Sequence, residues 1–83
     1  MAQFATISFP PSKVYAGTEE QSASGRRRLY ITAISAQNSA TITLGDTDNI
    51  VMAAGTSLSL SNPIRVTSFQ SSDAAVSIVY YEA

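Results

Sequence analysis

The side chains able to do chemistry in this chain are few and fall in short groups. Arg26, Arg27 and Arg28 run directly into the apolar segment that opens with Leu29-Tyr30. Glu19-Glu20 stand a few residues before them, Asp46 and Asp48 share the stretch GDTDN, and Lys13 is the single lysine. The chain has no histidine and no cysteine. A serine nucleophile normally relies on a base such as histidine, and the base that remains is Lys13, set close to Pro10-Pro11. A carboxylate pair for acid–base work needs one member in an apolar pocket that raises its pKa. Asp46, Asp48, Asp73, Glu19 and Glu20 all lie in turn or loop sequence instead, and read as turn formers. Asp46-x-Asp48 opens like a calcium loop, but its sixth position is Val51 and its twelfth Ser57, where such a loop needs glycine and a bidentate glutamate. The ligand sets of structural zinc are missing with cysteine and histidine, and no glycine pattern matches a phosphate-binding loop. The residues predict a protein that is not an enzyme, with no cofactor and no metal site.

The arginine run is the one concentrated charge. In an extended chain Arg26 and Arg28 project with Tyr30, while Arg27 projects with Leu29, so the three form one patch only if the strand begins after them. Arginines beside a tyrosine can clamp phosphates and stack bases. They can equally keep a strand edge soluble by pairing with Glu19-Glu20, or meet carboxylates on a partner protein. Lys and Arg total 5 against 6 Asp and Glu, for a net charge of -1, and no second basic cluster exists. That balance predicts protein contacts for Arg26 and Arg28 and no nucleic-acid partner.

At 83 residues the chain makes one small domain, and a domain of that size buries only about 60% of the surface its unfolded form exposes. Small domains usually need a staple, and with disulfides and zinc missing the expected source of extra burial is self-association. The start MAQFATISFPPSK lacks the basic region and long apolar run of a signal peptide, and no stretch approaches a membrane span. The expectation is a complete, unexported, soluble chain with no membrane partner.

The elements that must position these groups read as strands. FATISF places Phe4, Thr6 and Ser8 on one face and Ala5, Ile7 and Phe9 on the other, before Pro10-Pro11 ends it as an edge strand or an arm. Residues 1–16 form that arm or edge strand, 17–28 a polar loop, and 29–83 the core. From Leu29 onward alternation is nearly continuous. Leu29, Ile31 and Ala33 alternate against Tyr30, Thr32 and Ile34; Ile42 and Leu44 against Thr41 and Thr43; Leu58 and Leu60 against serines. Ile64, Val66 and Ser68 alternate against Arg65, Thr67 and Phe69, and Val76, Ile78 and Tyr80 against Ser77, Val79 and Tyr81. Asn-Ser, Asp-Asn, Gly-Thr and Ser-Asp signals separate the runs. Together they predict an all-β fold: a small antiparallel sandwich or barrel, jelly-roll-like, with six to eight short strands and no substantial helix.

The order RRLYITAISAQNSATITLGD, IVMAAGTSLSLSNPIRVTSF, DAAVSIVYYEA resembles the small all-β virion proteins of tailed bacteriophages, notably capsid decoration or cement proteins and short head or tail accessory domains. The likeness spans roughly the last two-thirds of the chain and rests on the order of turns and alternating strands. The resemblance implies a structural virion protein, assembled in the host cytoplasm, that forms a homo-oligomer, commonly a trimer. It would add to a capsid lattice, binding the major capsid protein or another virion protein by buried area and strand addition, with no turnover. Contact candidates are then Phe4, Ile7 and Phe9 in the arm, with Arg26, Arg28, Tyr30 and Tyr81 on the sandwich. The arm reads equally as an edge strand of its own sandwich. A different class of function is a receptor- or carbohydrate-binding module at a tail tip or head fibre, for which Tyr15, Tyr30, Tyr80 and Tyr81 are the available aromatics.

Overall fold

Ala40–Leu44 shows the rule most of the chain follows: Ala40, Ile42 and Leu44 are buried, while Thr41 and Thr43 are not, so alternation alone makes a strand with one apolar face. The computed structural model describes residues 11–83. It holds eight strands: β1 (Lys13–Ala16), β2 (Gln21–Ser22), β3 (Leu29–Ala36), β4 (Ala40–Leu44), β5 (Ile50–Met52), β6 (Thr56–Val66), β7 (Ser68–Ser71) and β8 (Val76–Glu82). No helix occurs among the described residues.

The strands form two four-stranded sheets, β1-β8-β3-β6 (sheet A) and β2-β7-β4-β5 (sheet B). Every pair is antiparallel. β1 pairs β8, β2 pairs β7, β3 pairs β6 and β4 pairs β5, as in one long ribbon folded at the β4–β5 hairpin. Rolling that ribbon brings β8 onto β3 and β7 onto β4. This is the jelly-roll arrangement of a two-sheet sandwich, so the fold class expected from alternation is the one observed.

The core lies between the sheets. Ile31, Ile34 and Ile78 of sheet A meet Ile42 and Phe69 of sheet B, all with essentially no exposure. Phe69 is edge-on to two tyrosines, Tyr15 at 4.9 Å and Tyr80 at 5.1 Å, an arrangement that adds about 0.5–1.5 kcal/mol per pair beyond burial. Tyr15 also ties the sheets through its hydroxyl, which donates to the Glu19 carbonyl and accepts from the Ser71 N–H at 3.4 Å.

Four readings of the sequence are corrected. Ile34 does not share the outer face with Tyr30. Against β8 the register shifts between Ile31 and Ala33 and leaves Thr32 as an extra residue, while against β6 Thr32 alone faces the four residues 60–63; the inward phase resumes at Ile34 and Ala36. Phe69 does not share a face with Arg65 and Thr67 either: the chain leaves sheet A at Thr67 and enters sheet B, and the change of sheet resets which residues face the core. The polar stretch 17–28 is not all loop, since Gln21–Ser22 pairs with Phe69 and Ser68 of β7. Tyr15 and Tyr80 are core residues and offer no aromatic surface to a sugar.

Candidate functional site

The outer face of sheet A carries the side chains left over once the core is filled, and the register sorts them into rows. Val14, Val79, Ala33 and Ser59 lie side by side across all four strands. Ala16, Ser77, Ser35 and Ser57 form a second row, of small side chains only. Tyr81, Tyr30 and Arg65 form a third. Tyr30 and Tyr81 stack face to face, with ring centres 5.0 Å apart and planes 9° apart. Thr32, the bulged residue, turns its hydroxyl to the Val79 carbonyl at 3.1 Å, so even the irregular position adds no protruding polar group. Val14 is 67% exposed at the edge of this face. Sheet A thus offers an outer surface of methyl groups and hydroxyls, with an aromatic pair and a guanidinium at one end.

That end collects the cations. Lys13 lies opposite Tyr80, Arg65 opposite Tyr30, Arg28 exchanges both main-chain hydrogen bonds with Ala83 at 3.0 and 3.1 Å, and Arg26 and Arg27 occupy the turn just before β3. All 5 cationic residues of the chain are therefore at one end of sheet A. The turn is closed by the Arg27 N–H on the Ser24 carbonyl at 3.0 Å, with Gly25 at φ +58°, a conformation glycine adopts without strain. Arg27 donates to the Glu82 carbonyl at 3.1 Å, Arg28 to the Arg27 carbonyl at 2.8 Å, and the Glu82 carboxylate accepts the Ser24 N–H at 2.7 Å. The expected pairing of arginines with Glu19-Glu20 is not what the structure has: the guanidinium hydrogen bonds go to main-chain carbonyls, and Glu20 accepts from Ser22 at 3.3 Å. Asp46, in the β4–β5 turn, reaches the same end, where it accepts the Thr67 N–H at 3.2 Å.

The carboxylates act as turn formers. Asp73 caps the β7–β8 turn, accepting the Ala75 N–H at 2.7 Å on its side chain and the Ser71 hydroxyl at 2.7 Å on its main chain. No three His, Cys, Asp or Glu side chains gather as metal ligands among the described residues. The described residues line open hollows, among them one of about 420 Å³ bordered by Thr41, Val51, Met52 and Ser72 and one of about 240 Å³ bordered by Ser35, Gln37, Ala75 and Ser77. Neither is lined by an ionisable side chain. Among the described residues the single perturbed titratable group is Tyr80, whose phenol is raised above its ordinary 10.0 by burial first and by the Glu82 charge second.

Of the contact candidates read from the sequence, Arg28, Tyr30 and Tyr81 are brought together, and Arg26 lies beside them on the turn. Phe4, Ile7 and Phe9 lie outside the described residues. Sequence reasoning missed Val14 and Arg65: Arg65 carries a signal, since it alternates with Ile64 and Val66, while Val14 emerges only once Tyr15 is known to be buried. Compared with known proteins, the chain matches no family model, no curated protein and no solved structure.

Proposed function

We propose that the chain is a non-enzymatic structural protein of a tailed-bacteriophage virion, a capsid decoration protein that self-associates as a trimer and reinforces the capsid lattice. The observation that carries this reading is the outer face of sheet A, where two full rows hold only valine, alanine and serine. Short side chains lose little entropy on contact, and their hydroxyls find partners at a protein interface as readily as in water. A free monomer would instead cover such a face with lysine and glutamate. The stacked Tyr30–Tyr81 pair and Arg65, of the residue types enriched at interface centres, supply the anchor. Jelly rolls build many viral capsids, which adds support at the level of fold analogy only.

The partners are a second copy of the chain and the major capsid protein or another virion protein. Arg26 and Arg28 serve those contacts, and nucleic acid is not a ligand: two carboxylates, Asp46 and Glu82, share the end that holds the cations, and the net charge is -1. The deciding measurement is native mass by sedimentation equilibrium, run with co-sedimentation on capsid shells of the particle that encodes the chain. A trimer that pellets with shells is expected; a stable folded monomer at micromolar concentration that stays in the supernatant refutes the reading.

One observation favours a second reading, a receptor- or carbohydrate-binding module at a tail tip or head fibre. Tyr30 and Tyr81 present a half-buried aromatic platform next to Arg65, and sugars stack on such platforms beside a hydrogen-bonding group. Saturable glycan binding lost in Tyr81→Ala, without shell binding, would select it.

A further inference from the structure

The two flanks of the sandwich are built differently. On one flank β1 and β2 are edge strands of 4 and 2 residues, joined by the Gly17–Glu20 connection. Tyr15 bonds to Glu19 and Gln70 bonds to the Thr18 carbonyl at 2.9 Å, which pins that connection across the gap between the sheets. Lys13 and Pro11 further protect the β1 edge. On the other flank, sheet B ends in β5, 3 residues long, but sheet A ends in β6, 11 residues long. From Thr56 to Ser59, where β6 pairs residue for residue with β3, it has no charge and no proline, so this stretch lacks the features by which edge strands usually refuse further pairing; beyond it residues 60–63 stand opposite Thr32 alone before pairing resumes at Ile64. Its inward side chains Leu58, Leu60 and Ile64, with Ile50 across the gap, pack on the core only partly buried.

We infer that the open edge of β6 is the acceptor for the segment Phe4–Phe9 of a second copy, which adds to sheet A as a fifth strand and covers this seam. This rests on the reading of the chain as self-associating, though not on the capsid as its destination. The segment fits in length and in pattern. Its six residues are enough to span the regular stretch Thr56–Ser59. With Ala5, Ile7 and Phe9 turned inward they extend the row of Leu58 and Leu60, which sets Thr6 and Ser8 beside Ser57 and Ser59 on the outer face.

Distance decides that the donor is another copy. The chain joins β1, which lies at the far side of sheet A from β6, so a strand added outside β6 is four inter-strand spacings away, about 19 Å. From Phe9 to Lys13 there are four residue steps, spanning about 14 Å at full extension. The segment cannot seat Phe9 on its own β6. Nor does Pro10-Pro11 favour folding back as a hairpin on its own β1, because Pro11 would take the turn position where proline forces its predecessor out of the helical region.

Because the chain has no cysteine, engineered pairs report contacts unambiguously. Ser8→Cys is combined in turn with Ser57→Cys, Ser59→Cys and Ser61→Cys, and separately with Val14→Cys, each in the full-length protein under mild oxidation. The inference expects covalent dimers and higher ladders from at least one β6 pair, lost on reduction, and a native mass that falls to the monomer in Ile7→Asp. A fast-migrating intramolecular product from the Val14 pair, with no ladder from any β6 pair, overturns it. So does an unchanged oligomer mass in Ile7→Asp without β6 ladders, and in that case self-association itself survives. A monomeric parent protein overturns both. Removing residues 2–9 gives a second variant should Ile7→Asp fold poorly, with the same loss of mass expected.

Discussion

Deleting one threonine should be nearly harmless in β3 and severe in β4. Both strands are central in their sheets. In β3, Leu29, Ile31, Ile34 and Ala36 face the core, with Thr32 the surplus residue at the register shift. Removing Thr32 leaves Leu29-Tyr30-Ile31-Ala33-Ile34-Ser35-Ala36, which alternates without interruption and pairs residue for residue with β8, so the buried side chains of β3 keep their phase. What is lost is the hydrogen bond from the Thr32 hydroxyl to Val79, a net contribution of about 0.5–1.5 kcal/mol. Removing Thr43 has no such remedy. Either Leu44 turns outward, or Ala40 and Ile42 do. The first choice is the smaller loss and still empties a core site, at about 3–5 kcal/mol by analogy with truncating a buried leucine. A chain of this length has about 4–12 kcal/mol of total stability, so the Thr43 deletion removes at least about a quarter of it. Urea unfolding followed by far-UV circular dichroism, at one fixed protein concentration, measures both. With about 1–3 kcal/mol per molar urea, the Thr32 deletion should shift the midpoint by about 0.2–1.5 M and the Thr43 deletion by about three times as much. Equal shifts, or a reversed order, would refute the claim that Thr32 absorbs the phase of β3.

Other expectations follow from single contacts. Tyr80 has its phenol pKa raised in the folded state, so its contribution is fully present below about pH 10, where both states are protonated. Above that the unfolded chain ionises first and stability falls as pH rises; Tyr80→Phe should show a shallower fall in alkaline urea titrations. A Cβ on Gly45 would sit 2.6 Å from the Thr67 hydroxyl oxygen and 3.2 Å from the Ser68 nitrogen, so Gly45→Ala should cost about 1–3 kcal/mol in the same assay. A double-mutant cycle on Tyr30→Ala and Tyr81→Ala should give a coupling of about 0.5–1.5 kcal/mol; a value near zero would mean the stacked pair does not hold in solution. Replacing Arg26 and Arg28 with alanine should weaken assembly on the partner and leave DNA binding at background, since each phosphate contact on a duplex would add only about 0.9 to the salt slope. A submicromolar, steeply salt-dependent DNA affinity that this variant loses would reverse the assignment.

The fold class was legible because alternation is a local signal and most strands obey it without interruption: every buried residue of β8, and Ile42 and Leu44 of β4, were read on the correct face, while Ala40 fell in the turn sequence before β4. Phase is the part that does not transmit along the chain. A bulge at Thr32 and a change of sheet at Thr67 each leave perfect alternation on both sides and reverse what it means beyond. The trace of the first is the spacing of Ile31 and Ile34, three apart where one face should show two or four. The second leaves no such trace, since Ser68-Phe69 simply continues the run from Ile64. Tyr15 was unreadable for another reason, because a strand of 4 residues with one buried position has no period to detect. The candidate surface depends on register more than on phase. Val14, Val79 and Ala33 are far apart in the chain and become one row only when β1 and β8 close the ribbon on β3. The same closure explains the cations. β1 and β3 begin, and β6 and β8 end, at one end of sheet A, so Lys13, Arg28 and Arg65, which look scattered in sequence, share that end with Arg26 and Arg27 because antiparallel pairing folds their strand ends together.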